Sequence, residues 1–177
     1  TANTHNVAIG ADAGLSLSTG NRNVYVGALS GDANTTGDGN TAVGHNTLST
    51  NTHSENNVAV GYEALKTFNV GSGSGYNTAV GSVAGTALTT GIQNTLIGGL
   101  AGDALTDADN NVAIGYKALG ADTLGTDSIA IGVQALRDQN FTTATASHNV
   151  AIGRDAGVVI TTGVENTLIG GLAGDAI

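Results

Sequence analysis

Asn6-Val7-Ala8-Ile9-Gly10 is a five-residue phrase that returns ten times along the chain, almost unchanged. Its successors begin at Asn23, Asn40, Asn57, Asn77, Asn94, Asn111, Ser128, Asn149 and Asn166, so the starts lie 17 residues apart except for one step of 20 and one of 21. A period this constant describes a one-dimensional array of stacked, equivalent coils. The second and fourth positions are β-branched (Val7/Ile9, Thr41/Val43, Ile129/Ile131) and the third is mostly Ala, the alternation of a short strand with a small-residue face. The closing Gly permits a turn that a Cβ would obstruct. A small residue three places later (Ala13, Ser30, Ala64, Ala101, Ala135) predicts a second short strand. Segments such as Thr35-Thr36-Gly37 and Thr89-Thr90-Gly91 are turn chemistry at the outer corners. Ten coils at about 4.8 Å each make a rod of roughly 48 Å. The recurring Asn is expected to stack as a side-chain ladder that caps a turn or bonds the next coil.

The two longer steps, from Asn57 and from Ser128, fall at corresponding places and reveal a larger unit of four coils. The residue four after the motif glycine runs Gly14, Gly31, Leu48, Leu65, then Gly85, Gly102, Leu119, Leu136, then Gly157, Gly174. The stretch Asn94 to Ala104 recurs word for word from Asn166 to Ala176, 72 residues later. Such blocks point to duplication of a four-coil cassette.

With 28 Gly, no Pro, Cys, Met or Trp, and 3% aromatic residues, the 177-residue chain lacks the material for a bulky core. Its 40% hydrophobic content nevertheless sits at fixed places, which fits a narrow, regular object and not a disordered chain. The uniform period makes residues 1–177 one β-roll repeat segment. An array that starts and stops mid-pattern, without an initiator Met or a signal-like start, is expected to be part of a longer fibre. A net charge of −9 with five scattered basic residues argues against nucleic acid and against a polybasic membrane anchor. No apolar run is long enough to insert into a bilayer.

The alternation leaves two apolar strand faces, and a coil this small has trouble burying both within one chain. Self-association into a homotrimer, with the small Ala face turned toward neighbouring chains, is the expected solution.

At this point phrases such as Asn111-Val112-Ala113-Ile114-Gly115-Tyr116-Lys117-Ala118-Leu119 and Asp127-Ser128-Ile129-Ala130-Ile131-Gly132-Val133-Gln134-Ala135-Leu136 closely resemble known repeats. They are similar to the head repeats of YadA-like trimeric autotransporter adhesins and to related repeats of bacteriophage tail fibres. The resemblance spans the chain, although the repeat is longer than the usual head repeat and no neck, coiled-coil stalk or outer-membrane anchor is recognisable. It implies an all-β, left-handed parallel β-roll (β-solenoid) of about ten 17-residue coils, trimeric, extracellular, on a bacterial cell surface or a virion tail fibre. The implied function is non-enzymatic attachment to a host-cell surface, matrix protein or glycan receptor. No receptor-binding residue carries over, because the shared motif is the scaffold. A structural spacer or filament subunit of an extracellular fibre is the alternative.

Enzyme chemistry finds little to assemble. No catalytic set, cofactor site or metal site is expected. His5, His45, His53 and His148 lie in different coils, with His5 and His148 at the turn place where another copy has Tyr76. Asp32, Asp103 and Asp175 recur in register, as a solvated face does, although three such carboxylates on a trimer axis could gather a cation. Left-handed hexapeptide acyltransferases need about three contiguous hexapeptides per coil, and each coil here supplies one. Ice binding would call for an unbroken Thr array, and Thr41, Thr78, Thr95 and Thr167 alternate irregularly with Val or Ile.

Specificity is expected where the array departs from its own rule, in the loops over 66–76 and 137–148. Both begin with a basic residue, Lys66 or Arg137, and hold the chain's two phenylalanines, Phe68 and Phe141. These four are the candidate partner-binding residues; the rings could instead pack against the roll.

Overall fold

The computed structural model describes residues 5–176, and every regular element among them is a short strand. In chain order these are β1 (Val7–Ile9), β2 (Val24–Val26), β3 (Thr41–Val43), β4 (Ser54–Glu55), β5 (Val58–Val60), β6 (Gly73–Ser74), β7 (Thr78–Val80), β8 (Thr95–Ile97), β9 (Val112–Ile114), β10 (Gly125–Thr126), β11 (Ile129–Ile131), β12 (Thr145–Ala146), β13 (Val150–Ile152) and β14 (Thr167–Ile169). Ten of them, one per phrase, pair in a single sheet in the order β1-β2-β3-β5-β7-β8-β9-β11-β13-β14. Each pairing is parallel and in register: Ala42 faces Ala59, and across the 20-residue step Ala59 still faces Ala79. The chain is a parallel β-solenoid of about ten turns. Extra residues in the two longer steps are absorbed away from this sheet, where β4 pairs with β6 and β10 with β12.

The sheet face that turns inward is the small one. Ala42, Ala59, Ala79, Ala113, Ala130 and Ala151 are fully buried within their own coils, while the flanking β-branched residues point out. This corrects the expected arrangement, in which the Ala face met a neighbouring chain. The reason is volume: the roll is so narrow that side chains from its own opposite wall occupy the space above each Ala.

The segment after each motif glycine is a corner and not the second strand expected from its small residue. Two left-handed residues bracket that small residue, as with Leu29 and Gly31, both at φ 57°, around Ser30, and an extended chain cannot pass through such a pair. The corner still stacks in register, since Leu29 N donates to Ala11 O at 2.9 Å and Asn46 N to Ala28 O at 2.9 Å. The motif glycine is required on two counts: Gly10 has φ 129°, and a Cβ there would lie 2.6 Å from the Gly27 carbonyl carbon.

The cassette pattern is a rule for filling volume. The fourth residue after the motif glycine is left-handed in every coil, whether it is Gly or Leu. Where it is Leu (Leu48, Leu65, Leu119, Leu136), the side chain is fully buried opposite a strand Ala. Where it is Gly, a large strand residue takes the space: a Cβ on Gly31 would lie 2.5 Å from the Tyr25 ring, and one on Gly102 would lie 2.8 Å from Leu96. Tyr25 is wholly buried, with its hydroxyl accepting from Asn34 Nδ2. Desolvation pushes its pKa up to about 12, so the phenol stays neutral.

Two polar ladders hold the coils together. In the first, the recurring Asn accepts on Oδ1 from the backbone N–H of its successor, as Asn23 does from Asn40 at 2.9 Å and Asn77 from Asn94 at 2.9 Å. The same residue donates through Nδ2 to the far side of its own coil, Asn23 to Gly37 O at 2.8 Å. Most of these Asn residues thus close one coil and tie it to the next, whereas Asn57 turns its Nδ2 back to Glu55 O and Asn40 Oδ1; either way the polar groups that burial would otherwise orphan are satisfied. The second ladder lies at the opposite corner, where Thr35 donates to Thr52 O at 3.0 Å, Thr89 to Thr106 O at 3.1 Å and Thr106 to Thr123 O at 3.0 Å.

Candidate functional site

The first surface that stands out is the outward face of the ten-stranded sheet. It carries two columns of side chains, one from the first position of each strand and one from the third, all Val, Ile or Thr with no charge among them. Val58, Val80, Ile97, Ile129 and Ile152 remain 36–37% exposed in the interior of the array, where a strand has neighbours on both sides. Nothing among the described residues covers this strip. A contiguous apolar face of this length is unusual on a protein that acts alone.

The four residues expected from the sequence lie in two separate places. Lys66 and Arg137 both sit at the surface, five residues after a motif glycine and four coils apart. Each is tied to a nearby acid: Lys66 Nζ lies 3.0 Å from Glu63 Oε1, and Arg137 holds Asp138 through two bonds, at 2.6 and 2.7 Å. The cations hold the Glu63 and Asp138 carboxyls below the usual carboxylate range. The two rings point inward. Phe68 is fully buried, with Gly75 leaving room for it, and Phe141 is 6% exposed against Gly125. The loop backbones show the solvent mainly small and polar residues, among them Ser72, Thr142 and Thr143.

The loop from Ser128 contains a buried polar cluster that the sequence did not suggest. Here Ser replaces the ladder Asn, and Gln139 reaches into the gap. Its Nε2 donates to Asp122 Oδ2 at 2.7 Å and to Ser128 Oγ at 2.9 Å, and its Oε1 accepts from Asn149 Nδ2 at 2.8 Å. Ser128 Oγ also meets Ser147 Oγ at 2.6 Å, and Asp122 Oδ1 accepts from the backbone of Gly125 and Phe141. Every polar group in the cluster is bonded to another, and the cluster is closed to solvent. It is a structural repair of the ladder, with no group left over for chemistry.

Among the described residues, no three His, Cys, Asp or Glu side chains come together as a metal-holding group, and no helix is long and apolar enough to cross a membrane. The in-register carboxylates Asp32 and Asp103 are partly sunk into the corner, and desolvation pushes both upward from the ordinary aspartate range.

The sequence reading also passed over a column of residues immediately after the motif glycines. It runs His45, Tyr62, Ser82, Gly99, Tyr116, Val133 on consecutive coils, beside the outward apolar strip. The His45 and Tyr62 rings stack with centroids 5.7 Å apart and planes within 13°. Aligning the coils on the motif glycine would have put these aromatics in one column. Comparison with family models, with curated proteins and with solved structures finds no match.

Proposed function

We propose that this chain is a trimeric segment of a non-enzymatic attachment fibre, carried outside the cell on a bacterial surface or a virion tail. In this reading the fibre binds a host-cell surface, matrix protein or glycan. The observation that carries it is the uncovered Val/Ile/Thr strip on a rod whose interior is otherwise closed. Three copies wound as left-handed rolls, with these strips turned to a common axis, remove the strip from water; burial at about 25 cal/mol per Å² makes that a strong drive. The resulting rod is stiff, because every coil is tied to the next by strand pairing, reinforced over much of its length by the two ladders. Stiffness is what a fibre needs to present a surface away from its anchor.

Mass measurement in native solution tests the assembly. Wild-type protein should be a trimer at micromolar concentration, and Val60→Lys, on the outward strip, should give a folded monomer. Ala59→Arg, one residue away and facing inward, should instead unfold the coil. A well-folded wild-type monomer overturns the assembly. Attachment is tested by adding the isolated segment to host cells and asking whether it competes with the intact fibre.

A second reading, a structural spacer that sets length, is favoured by the four-coil filling rule, which keeps every cassette interchangeable. Removing residues 77–148, one complete cassette, should preserve packing and shorten reach by about 19 Å. Unchanged adhesion in that variant would support the spacer.

A further inference from the structure

We infer that a cleft across three consecutive coils, with Asp103 and Lys117 in its walls, binds a small zwitterion of the α-amino acid class; none of its residues belongs to the outward apolar strip. The cleft has a volume of about 250 Å³, at the small end of ligand clefts. Its lining is Asp103 from the coil of Asn94, Lys117, Gly120 and Ala121 from the coil of Asn111, and Arg137 and Asp138 from the coil of Ser128.

The opening follows from a difference between cassettes. In the preceding cassette the places of Gly120 and Ala121 are held by Ser49 and Thr50, whose hydroxyls both reach across the coil boundary to Lys66 O, at 3.5 and 3.0 Å. Gly120 and Ala121 have no such groups, and the boundary is left bare. The φ of Gly120 is not left-handed, so the backbone does not demand glycine there. A Cβ at this place would lie 3.4 Å from Asp103 Oδ1 and 3.2 Å from Lys117 O, and a side chain would stand against the carboxylate that the cleft now exposes. Lys117 takes the place of Asn46, so a cation enters where the earlier coil has a neutral amide.

The charges in the walls select the occupant. Arg137 and Asp138 are joined by two bonds, at 2.6 and 2.7 Å, and satisfy one another. Among the described residues, Asp103 and Lys117 belong to no ion pair, although the Lys117 charge acts on the Asp103 carboxyl, which burial pushes upward from the ordinary range. Lys117 Nζ is placed 5.7 Å from the centroid of the Tyr116 ring. Opposite charges therefore line one cleft without touching. A ligand of one sign pairs with one wall and is repelled by the other. An ammonium and a carboxylate on the same carbon give Asp103 a donor and Lys117 an acceptor.

The test titrates the whole isotope-labelled chain with glycine, alanine and serine and follows the backbone amides of Gly120 and Ala121 by NMR. These amides should shift along saturable curves, and acetate alone or methylammonium alone should bind about tenfold more weakly at the same ionic strength. Asp103→Asn and Lys117→Asn should each weaken binding about tenfold with the unfolding midpoint unchanged; Asn suits the left-handed φ of 56° at position 117. Gly120→Ser, which restores the residue of the earlier cassette, should weaken binding as well. Absence of saturable shifts, equal binding of acetate or methylammonium, or full binding by the variants overturns the site. A lowered midpoint in both charge variants, non-additive in the double variant, also overturns it, because Asp103 and Lys117 then pair with one another across the cleft.

Discussion

The two long coils, one opening at Asn57 and one at Ser128, occupy the same place in successive cassettes and solve the same closure problem with opposite chemistry. In the first, the Asn ladder is continuous, with Asn77 N donating to Asn57 Oδ1 at 3.1 Å, and the interior is plugged by the fully buried Phe68. In the second, Ser128 interrupts the ladder, and the place of Phe68, seven residues after the motif glycine, is taken by Gln139 with its bonds to Asp122, Ser128 and Asn149. Phe141 has moved two residues on, against Gly125. The interior of the roll therefore tolerates either an apolar plug or a polar one. What it requires is that volume be filled and that every buried polar group find a partner.

The harshest way to break the comparison is to empty the apolar plug. Phe68→Ala removes a ring that Gly75 leaves room for and should cost about 3–5 kcal/mol, read from denaturant unfolding at fixed protein concentration. A cost below about 1 kcal/mol would mean that the loop collapses freely and that the ring is ornamental. Next comes the polar plug. Gln139→Leu keeps much of the volume but strands Asp122 Oδ2 and leaves Asn149 Nδ2 only its bond to Gly163 O, so it should cost about 1–3 kcal/mol. If it stabilised the chain, the cluster would be a tolerated accident and not a repair.

Much of this was open to reading in the sequence, and what escaped has physical causes. The phrase with its period fixed the parallel sheet and its register, because β-branched alternation and a repeating Asn leave few other structures. Alternation alone does not say which face goes inside when both faces are apolar. Only the width of the roll decides that Ala59 turns in and Val58 and Val60 turn out. The corner was misjudged because a small buried residue such as Ala64 suits a strand and a tight turn equally; the left-handed Glu63 and Leu65 beside it leave no compositional mark. Phe68 could have been placed correctly by counting from the motif glycine, since the seventh position holds Leu17, Leu88, Leu105 and Ile160 in other coils, a core column. The irregular loop that follows hides this membership, because the 17-residue spacing is broken there. Gln139 could not have been read as core, because its burial depends on the loss of one Asn in another part of the coil.

That dependence gives a sharper test of smaller size. Ser128→Asn restores the repeat consensus, yet in the presence of Gln139 the longer side chain competes for occupied space and should cost about 1 kcal/mol. In the Gln139→Leu background the same change should cost less, because the new Asn can accept from the Asn149 backbone as its counterparts do elsewhere. A double-mutant cycle in urea measures the coupling. Additivity of the two changes would separate Ser128 from Gln139 and dissolve the repair.

The smallest expected effect lies at the surface, where the two coils are most alike. Lys66 with Glu63 and Arg137 with Asp138 are ion pairs at equivalent corners, and the side chains of the second are 36% and 39% exposed. Arg137 depresses the Asp138 carboxyl in the folded state, so the stability it contributes is present above the unfolded-state carboxylate value of about 3.9 and is lost as pH falls through the lower folded value. Solvent screening limits that contribution to about 0.5 kcal/mol. Arg137→Ala should accordingly leave the unfolding midpoint at pH 7 almost unmoved and slightly flatten the loss of stability on acidification. Lys66→Ala should be silent in the same measurement at pH 7. A large loss from Arg137→Ala alone would show that the polar coil leans on its surface pair as the apolar coil does not, and the equivalence of the two corners would fail where it looks strongest.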